Sequence, residues 1–365
     1  MFDKDNRIVL TLDAGGTNFV FSAMQANRII VHPISRSANS EDLDTCLNTI
    51  INSFSEVIGL LPEPPVAISF AFPGPADYKN GVIGDLPNFP SFRGGIALGP
   101  LLEKTFGIPV FINNDGNLFA YGEAMSGLLP RINKQLEGAG SSRKFENMVG
   151  ITLGTGFGAG VVINNNILFG DNGCGGDVWI LKNKFYPDMI AEESVSIRAV
   201  KRVYQELSGI KNQSLEPKDI FDIAEGKKEG DMFSAIQSFA TLGEALGDSL
   251  SQIATFTDGL ISIGGGVAGA AKYIYPAMFK EINRKLGTFA GDKFPRMQSQ
   301  VFNLDDEQEL SKFLHDELKT VTIPNTNIQV PYVSDKKIGI GTSRCGTNQA
   351  VLLGAYAYAL QQLDK

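Results

Sequence analysis

The sequence predicts an α/β protein of two domains, and three observations carry that expectation. The chain has 365 residues, more than a single hydrophobic core usually organises. Short β-branched runs that end in glycine turns alternate with longer stretches of helical spacing. One unit of strand, glycine turn, strand, polar turn and strand occurs twice, with Thr11-Leu12-Asp13 in the first copy opposite Thr152-Leu153-Gly154 in the second.

The elements follow in order. Residues 8–12 form a β-branched run that ends at Asp13 and read as a buried strand. Ala14, Gly15, Gly16 and Thr17 supply a turn, residues 18–24 a second strand, 25–27 a hairpin turn and 29–31 a third strand. Ser40, with Glu41 and Asp42, marks a helix start, and Leu43, Leu47, Ile50, Ile51, Phe54 and Ile58 keep helical spacing. Prolines between 62 and 65 end that helix. A strand at 66–71 runs into the Pro73-Gly74-Pro75 loop, a helix spans 96–106, and a strand at 110–112 ends in Asn113-Asn114-Asp115.

The second copy repeats this plan. Residues 117–128 read as helix, and 129–147, polar and rich in glycine and serine, as a surface loop. A strand at 148–153, a turn at 154–158, a strand at 160–163 and a turn at 164–166 follow. Helices are expected near 191–206, 218–225, 231–256, 273–286 and 348–363, and a strand at 259–263 runs into Gly264-Gly265-Gly266. Residues 288–345 hold short alternating runs among polar turns and show no clear pattern.

Composition excludes several function classes. Lys and Arg number 32 against 40 Asp and Glu, a net charge of -8, which argues against a nucleic-acid binder with its basic face. No apolar run is long enough to span a bilayer, and the charged opening stretch Asp3-Lys4-Asp5-Asn6-Arg7 is unlike a signal peptide. Cys46, Cys174 and Cys345 are odd in number and far apart, which fits a reducing, cytoplasmic compartment. No P-loop, no HExxH and no metal-spaced Cys/His cluster occurs. His32 and His315 stand in unrelated contexts and read as surface residues. A dinucleotide fingerprint at 154–160 is excluded because a β-branched strand follows it where a helix belongs.

Two matched glycine turns suggest phosphate groups. Backbone amides in such turns form an anion nest, and the missing side chains let a phosphate approach. Asp13 would repel phosphate alone but favours it with a magnesium ion, held directly or through water. Asn114 and Asp115 at a strand end admit two readings, the N-cap of the next helix or a hydrogen-bonding pair that orients and deprotonates a hydroxyl.

The residues at these positions resemble the ROK family of sugar kinases. Leu12-Asp13-Ala14-Gly15-Gly16-Thr17-Asn18 resembles its D-x-G-G-T signature, and Phe70-Ala71-Phe72-Pro73-Gly74-Pro75 its apolar P-G-P loop. Pro87-Asn88-Phe89-Pro90 resembles its sugar loop, and Asn113-Asn114-Asp115-Gly116-Asn117 its N-D-x-N motif. Thr152 to Gly160 resembles T-L-G-T-G-x-G-x-G, Ile263-Gly264-Gly265-Gly266-Val267 its adenosine loop, and Leu353-Gly354-Ala355 lies in a helix like the family's last. The resemblance leaves out residues 288–345.

It implies a two-domain actin-like ATPase fold, a duplicated ribonuclease H-like unit with an interdomain cleft. The expected small domain is 1–114 plus 347–365, the larger 115–346. By the same resemblance Asp13, Gly15, Gly16 and Thr17 hold ATP phosphates and magnesium. Gly154, Thr155 and Gly156 form the second phosphate loop, and Gly264, Gly265 and Gly266 lie near the adenosine. Gly74, Asn88, Asn114 and Asp115 bind the sugar, with Asp115 the catalytic base. A homodimer is also expected.

The pattern breaks at the family's zinc motif. Gly176-Asp177-Val178-Trp179-Ile180 stands where G-E-x-G-H is usual, so Asp177 replaces the Glu and Ile180 the His. The following Cys cluster is absent, and no zinc is expected. Cys174 and Trp179 flank Asp177, shaping a pocket or packing a local turn. Glu192 resembles a later sugar-contacting Glu, with Glu193 the neighbouring alternative; either also suits a helix first turn.

The expected activity is ATP- and magnesium-dependent phosphorylation of the 6-hydroxyl of glucose or a related hexose. A fructokinase or an N-acetylhexosamine kinase is the alternative within enzymes. A non-catalytic sugar sensor or a sugar-responsive transcriptional regulator is the alternative outside them. The twelve residues before Asp13 are too few for the regulators' DNA-binding domain, which disfavours the latter.

Overall fold

The structure, a computed structural model, describes residues 2–15, 17–74, 76–85, 89–210 and 214–365. The chain divides into two compact units, one of Met1–Pro130, Gly160–Gly176 and Arg344–Lys365, the other of Arg131–Ala159 and Asp177–Ser343. The α/β architecture with a repeated strand unit expected from the sequence is present.

In the first unit β1 (Val9–Ala14) pairs antiparallel with β2 (Asn18–Gln25). The hairpin turn after β2 holds Ala26 and Asn27 at positive φ. β3 (Arg28–Ile29) and β4 (Ile34–Ser37) both pair with β2; β4 was not expected. α1 (Leu43–Gly59) is capped by Asp42, whose side chain accepts from Thr45 N at 2.6 Å, two residues beyond the expected Ser40 start. β5 (Ala67–Ala71) follows, then a small hairpin of β6 (Ala76–Asp77) and β7 (Val82–Ile83), α2 (Leu98–Phe106) and β8 (Val110–Asn113). The sheet order is β3-β2-β1-β5-β8, with β4 on β2. β1, β5 and β8 are parallel, as helical crossovers require. Phe19, Phe21, Phe54, Phe70, Phe72, Phe89 and Phe92 are fully buried together in this unit's core. Each contributes about 1.5–3 kcal/mol by leaving water.

α3 (Asp115–Met125) is buried from Gly116 onward and packs on the last helix, α10 (Thr347–Leu363). α4 (Leu128–Gly138) corrects the expected loop over 129–147. Its polar residues hide a stripe of Leu128, Leu129, Ile132 and Leu136, all buried.

The second sheet repeats the plan. β9 (Met148–Leu153), β10 (Phe157–Ile163) and β11 (Asn166–Ile167) stand for β1, β2 and β3, with Asn164 and Asn165 at positive φ in the turn. α5 (Ile197–Ser208), α6 (Pro217–Ala224) and α7 (Met232–Thr257) precede β12 (Leu260–Gly264), and α8 (Ala271–Ile282) follows it. The helix expected over 273–286 stops short of a small hairpin, β13 (Lys285–Gly287) with β14 (Lys293–Pro295). Residues 288–345 then supply β15 (Gln300–Asn303), α9 (Glu307–Leu314), an exposed hairpin of β16 (Leu318–Thr322) and β17 (Gln329–Val333), and β18 (Lys337–Thr342). β15 and β18 belong to the sheet, whose order is β11-β10-β9-β12-β18-β15. Leu246 and Leu250 of α7, Ile274 and Met278 of α8, and Ile261 and Ile263 of β12 share its core.

Candidate active site

In the first unit the candidate residues gather where parallel strands end. Asp13 of β1 lies level with Ala71 of β5, and Ala71 with Asn113 of β8. Ligands of parallel α/β sheets bind at this carboxyl edge. Asn113 is buried, and its Oδ1 accepts from Asn114 N at 2.9 Å and from Asn117 Nδ2 at 3.1 Å. That pair of bonds fixes the entry into α3.

Asn114 is the N-cap of α3, its Oδ1 accepting from Asn117 N at 2.6 Å. The capping reading of Asn114 therefore holds, and its Nδ2 is left to meet a ligand. Asp115 opens the helix and is exposed. Asp13 is half-buried, and its carboxyl is pushed above the ordinary aspartate range, first by burial and then by the charge of Asp115. Asn348 at the start of α10 donates from Nδ2 to Asp13 Oδ2 at 3.4 Å. Sequence reasoning missed Asn348, because only the fold brings together residues 335 positions apart.

The first glycine turn is closed by Gly15 N donating to Asn18 O at 3.0 Å, while Thr17 O accepts from Ala38 N at 2.9 Å. Gly15 and Thr17 are exposed; Gly16 lies outside the described residues. Gly74 follows β5 in a bend braced by Tyr78, whose hydroxyl donates to Phe72 O at 3.0 Å. Asn88 lies outside the described residues, and Phe89 beside it is anchored in the aromatic core.

In the second unit two glycine segments meet at the ends of β9 and β12. Gly264 lies level with Thr152. Gly265 has φ +91°, and a Cβ there would stand 2.2 Å from Leu153 O, so only glycine fits. Gly266 opens onto free space. Gly154 N donates to Gly156 O at 3.1 Å, and Gly154 O accepts from Ile197 N, the first amide of α5, at 2.9 Å. Thr155 is exposed at the tip. The turn abuts the start of a twelve-residue helix, whose dipole favours an anion there.

Glu192 stands beside this loop, its Oε2 accepting from Phe157 N at 2.9 Å and its Oε1 paired with Arg198 at 2.7 Å. Glu193 pairs with Arg198 as well. Asp177 is half-buried at the start of a 3-10 turn over Val178–Ile180, without a capping bond. Trp179 and Ile180 are exposed while Val178 is buried, and Cys174 is exposed. His32 and His315 are exposed. Among the described residues no group of three His, Cys, Asp or Glu side chains could hold a metal ion. No helix of the described residues is long and apolar enough to cross a membrane.

A glucokinase from Parabacteroides distasonis has a crystal structure that superposes with a TM-score of 0.91 at 54% sequence identity, covering 99% of each chain. A glucokinase from Thermotoga maritima is 26% identical over 305 residues, 78% of this chain and 90% of that protein. A xylose repressor from Bacillus subtilis is 22% identical over 281 residues, which span 73% of this chain and 66% of the repressor. The family model described as "ROK family" matches residues 9–301, and with most of its length so matched the chain belongs to the ROK family.

Proposed function

We propose that this protein transfers the γ-phosphate of ATP to the 6-hydroxyl of glucose or a related hexose. Family membership and the glucokinase relatives make it a carbohydrate kinase. The observation that carries the finer reading is the convergence of Asp13, Asn114 and Asp115 at one strand edge, with Asp115 close enough to shift the Asp13 carboxyl.

Asp115 is the base that takes the proton of the attacking hydroxyl. It is exposed at the first position of a helix whose cap is Asn114; its Oδ1 accepts from Gly116 N at 2.8 Å, which holds the carboxylate in place and leaves Oδ2 for the hydroxyl. A positioned base of this kind accounts for about 10²–10⁴ in rate. Asn114 Nδ2 holds a neighbouring hydroxyl, with further sugar contacts from Gly74, Asn88 and Asp177. Gly15, Gly16 and Thr17 on one turn and Gly154, Thr155 and Gly156 on the other hold the phosphates, and Gly264, Gly265 and Gly266 flank the adenosine.

Asp13 fits a magnesium ligand. It is a hard oxygen donor, and the burial and like charge that raise its carboxyl are relieved by a neighbouring cation. Magnesium there supplies charge neutralisation to the transferring phosphoryl group. The chain's own part is to hold the acceptor hydroxyl in line and to receive its proton.

The test is sugar-dependent ADP release from purified protein with ATP, magnesium and a panel of hexoses, amino sugars and N-acetyl sugars. Release with glucose or a close relative is expected. Folded protein that binds ATP yet releases no ADP with any sugar would overturn the reading.

A further inference from the structure

The second unit carries an arm that its own core does not hold. Every residue of β16, and every residue of β17 except Val333, is exposed. Register sorts the side chains into two faces. Lys319 lies opposite Tyr332 and Val321 opposite Val330, and Ile323 N donates to Ile328 O at 2.8 Å as the next pair. Successive residues of a strand alternate faces, so Val321, Ile323, Ile328, Val330 and Tyr332 line one face, with Thr320, Thr322 and Gln329 on the other. Those five apolar side chains are 39–60% exposed. A two-stranded hairpin is marginally stable in water unless its apolar face is covered.

The arm is braced at its root. Arg143 reaches both feet, its Nε donating to Asp316 Oδ1 at 3.1 Å and its Nη2 to Asp335 Oδ1 at 3.2 Å. Ser334 N donates to Glu317 O at 3.4 Å between them. A second apolar hairpin stands at the same end of the sheet. β14 ends five residues before Gln300 and β17 four before Lys337, and Gln300 lies level with Lys337 at the amino ends of β15 and β18. Leu286 lies opposite Phe294 across β13 and β14, and both are exposed, as is Phe289 in the turn. The glycine loops leave the other, carboxyl ends of β9 and β12, which run parallel to β18.

We propose that these hairpins are the contact surface of a homodimer, in which the apolar face of the β16–β17 arm packs on the same face of a second copy about a twofold axis. Area, charge and edge chemistry each favour that occupant. The exposed share of the eight apolar side chains on the two hairpins comes to about 600 Å², near the roughly 800 Å² that each partner gives a standard interface. Residues 318–333 carry one charge, Lys319 at the root end of the apolar face, in a chain of net charge -8. Two acidic copies therefore meet there with little opposed charge, whereas an anionic membrane calls for a basic cluster. Pro331 has no N–H to offer, which blunts β17 as an edge for strand addition and leaves the face.

The experiment is sedimentation equilibrium of the full chain over a wide concentration range, on wild type, Val321→Arg, Tyr332→Ala and Thr320→Arg. Thermal melts at several protein concentrations and flotation with phosphatidylcholine vesicles are run alongside. Wild type should be a dimer whose Tm rises with protein concentration. Val321→Arg should weaken association at least about 100-fold, because twofold symmetry buries the introduced charge twice. Tyr332→Ala, which adds no charge, should weaken it about tenfold. Thr320→Arg places the same charge on the other face of the same strand and should leave the dimer constant within about threefold. All four should melt alike at concentrations where wild type is monomeric.

A wild type that stays monomeric at every concentration overturns the proposal. A dimer that Val321→Arg and Tyr332→Ala leave intact overturns it too, because the contact then lies elsewhere. Equal loss in Thr320→Arg removes the assignment to one face. A monomer that floats with the vesicles gives that face to a membrane instead. None of these readouts uses a substrate, so the phosphoryl-transfer reading stands or falls separately.

Discussion

The half-buried carboxyl of Asp13 lies within reach of the charge on Asp115, and both are held at the same edge of the first sheet. Burial and that neighbour raise Asp13 above its ordinary value of 3.8. The sign follows directly. The unfolded chain releases this proton first, so the native state is penalised as pH rises from 3.8 through the raised value. Asp13→Asn should therefore raise the Tm of the ligand-free protein at neutral pH, and the gain should shrink as pH falls toward 3.8. The same variant should lose phosphoryl transfer. Thermal melts across pH check it; a lower Tm for the variant at neutral pH would contradict the assigned environment.

Asp115 should separate catalysis from folding. Asn114 caps α3, and the Asp115 carboxylate adds one bond from Gly116 N at 2.8 Å, an acceptor that asparagine keeps; the lost charge in a helix first turn is worth only about 0.3–1 kcal/mol. Asp115→Asn should lower kcat by about 10²–10⁴ with a Tm change of about 3 °C or less. Kinetics and melts on one preparation suffice. Near-normal turnover by the folded variant would remove Asp115 as the base.

Asn114 has two jobs in this reading, and two substitutions divide them. Asn114→Ala removes the cap acceptor for Asn117 N and should cost about 1 kcal/mol of stability. Asn114→Ser restores an acceptor at the cap but has no amide N–H. It should keep the Tm near wild type and still raise the sugar KM. A serine variant with an unchanged sugar KM would confine Asn114 to the cap.

The parts legible in the sequence are those with local causes. The repeated hairpins announce themselves through β-branched runs and through turn residues such as Asn27, Asn164 and Asn165, which take positive φ. Asp13 and the Asn114-Asp115 pair stand at strand ends, which periodicity locates. α4 was hidden because Arg131, Asn133, Lys134, Gln135 and Glu137 dominate its composition, while its four buried apolar residues are spread over nine positions. β15 and β18 were hidden for another reason. Each is short, and each is buried by parallel partners far away in the chain, with Val301 level with Ile338 and Ile261 with Ile340. Nothing local marks such pairing. The Asn348–Asp13 contact belongs to the same class.

The last prediction concerns how Asp115 is held in place. α3 and α10 touch backbone to backbone: a Cβ on Gly354 would stand 1.9 Å from Leu118 O, and one on Gly122 would stand 1.9 Å from Ala350 O. No rotamer change relieves either clash, because the obstacle is a helix carbonyl. Gly354→Ala must push the two helices apart, and with them Asp115 at the head of α3 and Asn348 at the head of α10. Overpacking of this kind costs about 1–3 kcal/mol or more, a Tm loss of about 2–10 °C for a domain of this size, and kcat should fall with it. Gly138→Ala is the control. Its added methyl meets nothing within 4 Å, and alanine suits a helix better by about 0.5–1 kcal/mol. That variant should hold or raise the Tm with activity unchanged. Equal tolerance at Gly354 and Gly138 would mean that the close crossing does not set the position of Asp115.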